Sequence, residues 1–517
     1  MRCKSALLAL LMVLGCISPA LASYVTDDAL SLGVISVATT RLNPLDPLER
    51  EMMSVTDLMY EGLMYLDDDY KPQPCLAERY STTKNGKTWY FYLREGITFH
   101  DGTPLTAHDV VATVEEILRL ANEGSANGTK GRYASLKYFI NSIQASDNQT
   151  VVVNTNRANY GFLYAMTFPI LKASEVQSDN PVGTGAYYLD LFEPTNYLLL
   201  SAYTGWWQNM PDYRQIMVTM YATSRDLISG YEYSNVDAVL TRAITAAQYR
   251  SGVSSYNIDY RTTQLEVLMM NNNVRELSDI RVREAIRYMI DLDDIVNNVY
   301  YGMVTRTDTP LIPGTWTYWS ENDAQQYNKQ RAIELLDESG WIDSDEDGIR
   351  DKVIDGKQAN LVLRFYVYEE QDNSVRVEVA NRIADSLSDV GVSCNVETLT
   401  YKAAAEKLKA GSYDLCIAAF NIDFTPDPGY LLISGNSGNY MRYKSKEMDD
   451  LFTKLRAAQD FTEYQQTLQS IQTLYWKDCP LVCLYYRNGA ILTREMFTDA
   501  RDVREPEVLR GIETFKK

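Results

Sequence analysis

Six aspartates in two short stretches are the residues of this sequence whose spacing suits chemistry. In Phe420-Asn421-Ile422-Asp423-Phe424-Thr425-Pro426-Asp427-Pro428, two carboxylates stand four residues apart behind an aromatic side chain. Paired carboxylates are the equipment of a general acid and base in a hydrolase. A single one in a water-poor cleft holds an ammonium group through a charge-assisted bond of about 1.5–3 kcal/mol. A third reading is an Asp/Pro turn in which Asp423 caps a helix. In the second stretch, Asp343, Asp345, Asp347 and Asp351 surround Gly348 with the carboxylate spacing of a calcium loop. Its twelfth position is Ile354, where a bidentate acid belongs, so a solvated acidic loop competes with calcium, the one cofactor the sequence suggests. His100 and His108 are the only histidines, which leaves little for imidazole catalysis or a His-rich metal site and disfavours nickel. No Walker A loop, Gly-x-Ser-x-Gly or His-Glu-x-x-His motif occurs, so the sequence is read as a binding protein and not an enzyme.

Composition narrows the partners. The 517 residues carry 49 Lys+Arg against 69 Asp+Glu, a net charge of −20, which excludes a phosphate-tracking nucleic-acid surface. That length suggests about three structural units. The 38 tyrosines suit broad, adaptable contact surfaces as well as cores. Arg2 and Lys4 precede an apolar run, Ala6 to Ile17, and then Pro19-Ala20-Leu21-Ala22, an export signal over residues 1–22. Cleavage after Ala22 and lipidation of Cys16 within Val13-Leu14-Gly15-Cys16 both remain open, and both place the chain outside the cytoplasmic membrane, attached at most by a lipid anchor. Cleavage leaves Cys75, Cys394, Cys416, Cys479 and Cys483, an odd set that argues against a disulfide scaffold. One bridge, Cys394 to Cys416, stays open because both are expected on adjacent strands.

Elements that position the Asp423 segment follow from periodicity. A strand at Leu361 to Tyr368, a helix at Val375 to Val390 ending at Gly391, a strand through Val392, Cys394 and Val396, a helix at Tyr401 to Ala410 and a strand at Asp414 to Phe420 alternate in β-α-β-α-β order. Such order implies a parallel sheet whose ligand lies beyond the carboxyl ends of its strands. Upstream, the sequence predicts a strand at Leu32 to Ala38 and a helix from Glu49 to Leu63 with Met52, Val55, Met59 and Leu63 on one face. It also predicts a hairpin through Asn85-Gly86, a helix opened by Thr106 and Asp109 as a capping box, and an amphipathic helix after Ser278-Asp279.

Ala77 to Phe99 (AERYSTTKNGKTWYFYLREGITF), continued by His100 to Val110, resembles the signature of the extracellular solute-binding proteins of family 5, the peptide-binding subunits of ABC importers. Val182-Gly183-Thr184-Gly185-Ala186-Tyr187, Tyr203-Thr204-Gly205-Trp206-Trp207 and Asp279 to Ile295 resemble further blocks of that family, from about Ser31 to Arg487. The resemblance implies a two-lobed α/β periplasmic-binding-protein fold of type II, cluster C-like, with an extra subdomain. Lobe I would span 24–264 with the insertion at about 56–180, lobe II 265–480, and 481–517 would return to lobe I. Hinges are expected near Leu265 to Asn271 and Asp478 to Tyr485. It further implies a monomer that captures oligopeptides and delivers them to a permease and ATPase complex. By the same resemblance Asp423 would hold a peptide ammonium group, with Phe420, Asn421, Tyr440, Asn43 and Thr40 as ligand contacts. Phe424-Thr425 stands where many relatives have one residue, which weakens the carry-over for Asp427. His100 reads as a structural histidine. Alternatives are an oligosaccharide binder on the same fold, an extracellular sensor or folding helper, and the secreted hydrolase drawn from the paired carboxylates.

Overall fold

Two long strands tie the protein together. The computed structural model describes residues 25–26, 29–123, 131–250, 255–319, 326–370, 374–422, 425–494 and 503–512. Cys16, Ala22 and Asp423 lie outside the described residues. One sheet contains β1 (Leu30–Ile35), β2 (Tyr187–Glu193), β3 (Tyr197–Ala202), β4 (Gln215–Tyr221), β5 (Ala238–Thr241), β6 (Tyr256–Met270), β7 (Val304–Arg306), β8 (Val362–Tyr368), β9 (Ser393–Leu399), β10 (Leu415–Asn421) and β11 (Leu481–Thr493). Their order is β9-β8-β10-β6-β11-β5-β1-β4-β3-β2, with β7 also paired to β11. β6 has 15 residues and β11 has 13, long enough to serve both halves of the sheet. Their antiparallel register slips between Arg261 and Leu265. On one side of the slip β11 pairs with β5; on the other, β6 pairs with β10.

The half carrying β10 is parallel where the β-α-β-α-β pattern requires it, β8 pairing in parallel with both β9 and β10. Its crossover helices are Val375–Ser388 and Tyr401–Ala410, the second stopped by Gly411 at φ 70°, a left-handed conformation that glycine adopts freely. β8 lies between β9 and β10, with Leu363 opposite Cys394 and Tyr366 opposite Cys416. The expected adjacency of Cys394 and Cys416 is therefore corrected. Two strand spacings, about 9.6 Å, exceed disulfide reach, and all five described cysteines are free.

The other half carries an added antiparallel sheet of Ala77–Thr82, Thr88–Leu93, Thr150–Thr155 and Ile140–Ala145 in that order, covered by the Ala107–Glu123 helix. Trp89, Phe91 and Leu93 are buried, as their alternation dictates. Asp109 accepts from the backbone and hydroxyl of Thr106, both at 2.8 Å, so the Thr106 hydroxyl is spent on Asp109. The expected Glu49 to Leu63 helix is only Arg50–Thr56. Met59 and Leu63 are still buried, but the carbonyls of Leu58 and Met59 accept from Tyr187 and Gly185. Pairing with the Val182 to Tyr187 segment has displaced the helical ladder. That approach explains the two glycines, since a Cβ on Gly183 would stand 1.9 Å from the Met59 carbonyl oxygen and one on Gly185 2.5 Å from that of Leu58. Gly183→Ala is expected to lower the thermal midpoint by several degrees through backbone displacement, and an unchanged melting curve would refute the close-approach explanation.

Candidate functional site

β10 delivers Phe420 and Asn421 to its carboxyl end, where Asn421 meets the first turn of the Arg50–Thr56 helix. Arg50 donates from Nη2 to Asn421 Oδ1 at 3.1 Å and from Nη1 to Gln264 Oε1 at 3.3 Å. Arg242, just after β5, donates to the same Gln264 oxygen at 3.3 Å and ion-pairs with Glu505. Gln264 sits at the register slip of β6, so one amide oxygen gathers guanidinium groups from the first half, while its Nε2 donates to Glu266 Oε1 at 3.1 Å.

Glu266 anchors a buried charge cluster next to Gln264. It is 0 % exposed and Arg376, which meets it through two bonds of 2.9 and 2.7 Å, is 1 % exposed. Arg487 of β11 donates to Glu266 at 3.2 Å, and Glu370 accepts from Arg376 at 2.7 Å and from Arg487 at 2.9 Å. Burial pushes the Glu266 carboxyl up, but Arg376 and then Arg487 outweigh it and hold it below the usual carboxylate range. The Arg376 guanidinium lies 4.3 Å from the Tyr368 ring centroid, so its apolar surroundings are stacked as well as paired. Hydrogen bonds thus run from Asn421 through Arg50, Gln264 and Glu266 to Arg376, Arg487 and Glu370, joining both halves through the two shared strands.

The turn after β1 leads into the Arg50–Thr56 helix and is organised by Glu49. Glu49 accepts from Ser36 Oγ at 2.5 Å, from the amides of Val37 and Ala38 at 3.1 and 3.3 Å, and from Thr39 Oγ1 at 3.0 Å. Burial raises the Glu49 carboxyl, yet these donors together leave it below its ordinary value. Thr40 follows directly and is exposed. Asn43 is different: its Nδ2 donates to the carbonyls of Val176 and Ser178 at 3.1 and 2.8 Å, and its Oδ1 accepts from the Leu45 amide at 3.0 Å. It is buried, with both polar ends spent on loop structure. Tyr440 is half-buried against the core beneath β10, and its carbonyl accepts from Tyr413 Oη at 2.8 Å. The Phe420 ring lies 5.9 Å from that of Tyr430. Asp427 accepts from Arg456 at 2.5 and 3.0 Å and from the Gly429 amide, so this carboxylate is committed to an ion pair and a turn.

Of the four loop aspartates, Asp343, Asp345 and Asp351 bring carboxylate oxygens within 4.8 Å of one another. Asp347 is not in that group and accepts from the Ile349 amide. Asp343 accepts from the amides of Asp347 and Gly348, and Asp351 from the amide and hydroxyl of Ser344, so internal bonds shape the loop. His100 accepts at Nδ1 from the Gly183 amide at 3.3 Å and donates from Nε2 to the Gly185 carbonyl at 3.0 Å. Burial lowers its pKa to about 4, so it is a neutral structural imidazole bracing the glycine segment.

Sequence reading missed Arg50, Arg242, Gln264, Glu266, Arg376 and Arg487. Glu266 did carry a signal: it interrupts the apolar run Leu265 to Met270, and an acid within a buried strand requires a paired cation. No helix among the described residues is long and apolar enough to cross a membrane.

Comparison with known proteins places these features. The sequence profile described as bacterial extracellular solute-binding proteins, family 5 Middle, matches residues 71–442. The oligopeptide-binding protein AppA of Bacillus subtilis is 24 % identical over 476 residues, covering 87 % of this chain and 84 % of AppA. The structure of AppA in complex with a nonapeptide superimposes with a TM-score of 0.67 at 21 % identity, covering 94 % of this chain and 98 % of AppA. NikA of Brucella suis in complex with Fe(III)-EDTA gives 0.77 at 19 % identity, covering 94 % and 99 %. DppA of Helicobacter pylori in complex with the peptide STSA gives 0.68 at 19 % identity, covering 93 % and 97 %. These likenesses establish the two-lobed α/β binding-protein fold.

Proposed function

The chain belongs to the bacterial extracellular solute-binding proteins of family 5, and from that membership we propose that it captures peptides in the cleft between the two halves of its sheet and delivers them to an ABC permease. The carrying observation is that a peptide-binding relative, AppA, aligns along nearly the whole chain in sequence and in structure. The arrangement of the cleft supports it. β10 ends at the cleft, and the buried charge cluster beneath it provides fixed dipoles without a nucleophile or free acid pair. Asp423 would receive the peptide ammonium group, with Phe420, Asn421, Thr40 and Tyr440 around the chain. Closure of the halves on a ligand is a population shift driven by contacts made only in the closed form.

Mass spectrometry of ligand released from purified protein is expected to find peptides of mixed sequence, and recovery of oligosaccharide alone would overturn the reading. A recovered peptide at one hundred times its dissociation constant should stabilise the protein by about 2.7 kcal/mol. Asp423→Ala should weaken peptide binding roughly 10- to 100-fold. N-acetylation of the peptide should cost the native protein as much and the variant almost nothing. Equal affinity of Asp423→Ala and native protein would dismiss the ammonium anchor. Turnover of peptides or glycans by the purified protein would revive the hydrolase.

A further inference from the structure

Arg50 stands where the two halves meet. It opens the Arg50–Thr56 helix of the first half, and its guanidinium reaches Gln264 of the shared β6 and Asn421, the last residue of β10 in the second half. Four guanidinium groups gather around Gln264 and Glu266, those of Arg50, Arg242, Arg376 and Arg487. Arg242 pairs with Glu505, while Arg376 and Arg487 each pair with both Glu266 and Glu370. Three cations thus balance three carboxylates, and Arg50 is the surplus charge. Its two acceptors are neutral amide oxygens at 3.3 and 3.1 Å, beyond the roughly 2.7–2.9 Å of a charge-assisted bond. Three of its five N–H donors, Nε–H among them, meet no acceptor among the described residues.

Neighbouring carboxylates leave that charge open. Glu49 is committed to Ser36, Val37, Ala38 and Thr39. Glu51 forms no ion pair with Arg50 among the described residues, and burial pushes its carboxyl up, toward the neutral form. Burial also lowers the Arg50 pKa, with Arg487 adding to the fall and Glu51, Tyr260 and Glu370 opposing it. This is a cation stripped of water without a matching anion. Arg50 is half-buried and Asn421 exposed, so the guanidinium is reached from solvent at the carboxyl end of β10.

We propose that Arg50 binds a carboxylate of the captured peptide, at its C-terminus or on an acidic side chain, an assignment that rests on peptide capture as the protein's function. A carboxylate brings both the missing charge and the planar pair of acceptors that a guanidinium fork matches; a peptide carbonyl brings neither. The unused donors are enough for a two-bond grip, while Gln264 and Asn421 stay in place to orient the fork.

The test is competition on the full chain among three tetrapeptide libraries of distinct mass, with captured peptide counted by mass spectrometry. One library has a free carboxyl end and no Asp or Glu, one is amidated and lacks both acids, and one is amidated with a single Glu. Native protein is expected to take a carboxylate-bearing library over the neutral one by roughly 10- to 100-fold, the effect of one charge-assisted contact. Preference for the first library assigns the C-terminus to Arg50; preference for the third assigns an acidic side chain. Arg50→Gln should bring the ratio to within about twofold. A purely structural loss of contact between the halves would instead weaken all three libraries alike and keep the ratio. Arg50→Lys retains the charge without the fork and should hold a ratio of a few-fold. It decides the matter where Arg50→Gln does not fold, since a native ratio in Arg50→Lys would assign the preference to another group. Equal capture of the three libraries by native protein, or an undiminished ratio in Arg50→Gln, would overturn the carboxylate contact alone. Capture of none would overturn peptide binding with it.

Discussion

Replacing Glu266 by alanine is expected to destabilise the protein by about 3–5 kcal/mol, a large share of the roughly 5–15 kcal/mol that holds a domain folded. The cause is what the substitution leaves behind. Arg376, 1 % exposed, and Arg487 would remain in place with only Glu370 as carboxylate partner. Glu266→Gln keeps the volume and one acceptor, so it should cost less. A Glu266→Leu, Arg376→Met double variant should recover much of the loss, because removing both charges removes the desolvation that their pairing had to offset. Urea midpoints for the single and double variants decide the matter. A loss below about 1 kcal/mol for Glu266→Ala would mean that water reaches the cluster and that the pair is worth no more than a surface one. Peptide affinity should also fall, since Gln264 and Arg50 lose the carboxylate that orients them.

Asp57→Asn should stabilise the protein at pH 8 by an amount on the order of 2–4 kcal/mol and change little near pH 4. An aspartate titrates near 3.8 when unfolded and at about 7 here, so the folded state holds its proton more tightly between those values. Stability from this group therefore falls as pH rises through that window, and the full penalty is present above pH 7. His100 runs the other way. Its pKa drops from 6.5 to about 4 on folding, so the unfolded chain takes up the proton first as pH falls. Its contribution is intact above pH 6.5 and is lost on the way down to pH 4. The two slopes oppose each other over a shared range and flatten the native profile there. Asp57→Asn should expose the histidine slope as a steeper acid loss, and His100→Gln the aspartate slope. Denaturant midpoints at pH 4.5, 6 and 8 measure both, and parallel profiles for all three proteins would contradict the assignment.

The second half of the fold was legible because its signals are local. Glycine stops, β-rich runs and helical stripes between Leu361 and Phe420 each need only a few neighbours to be read, and the strands and helices fall within about three residues of expectation. Strand order was not legible: chain order gives β8, β9 and β10 without saying that β8 sits in the middle, and the Cys394 to Cys416 adjacency failed on that point. The Glu49 to Leu63 helix was overread because its periodicity is real burial, while the backbone beyond Thr56 pairs with residues more than a hundred positions away. In the cleft, the end of β10 could be found from topology alone. Arg50, Arg242, Gln264, Arg376 and Arg487 come from five separate segments, and only their meeting around Gln264 and Glu266 gives them a role. Asn43 shows the converse, a polar residue in a turn of the expected kind whose hydrogen bonds are all directed inward.

The sharing of β6 and β11 by both halves also dictates an order of events during synthesis. Thr241 pairs with Ala490, and Met269 with Leu481, so neither half owns its central strand until residues 481–493 have been made. A nascent chain stopped before residue 481 has two open sheet edges, at β5 and at β6, and contacts of such long sequence separation form slowly. Closing the shared sheet therefore has to wait until β11 has been made.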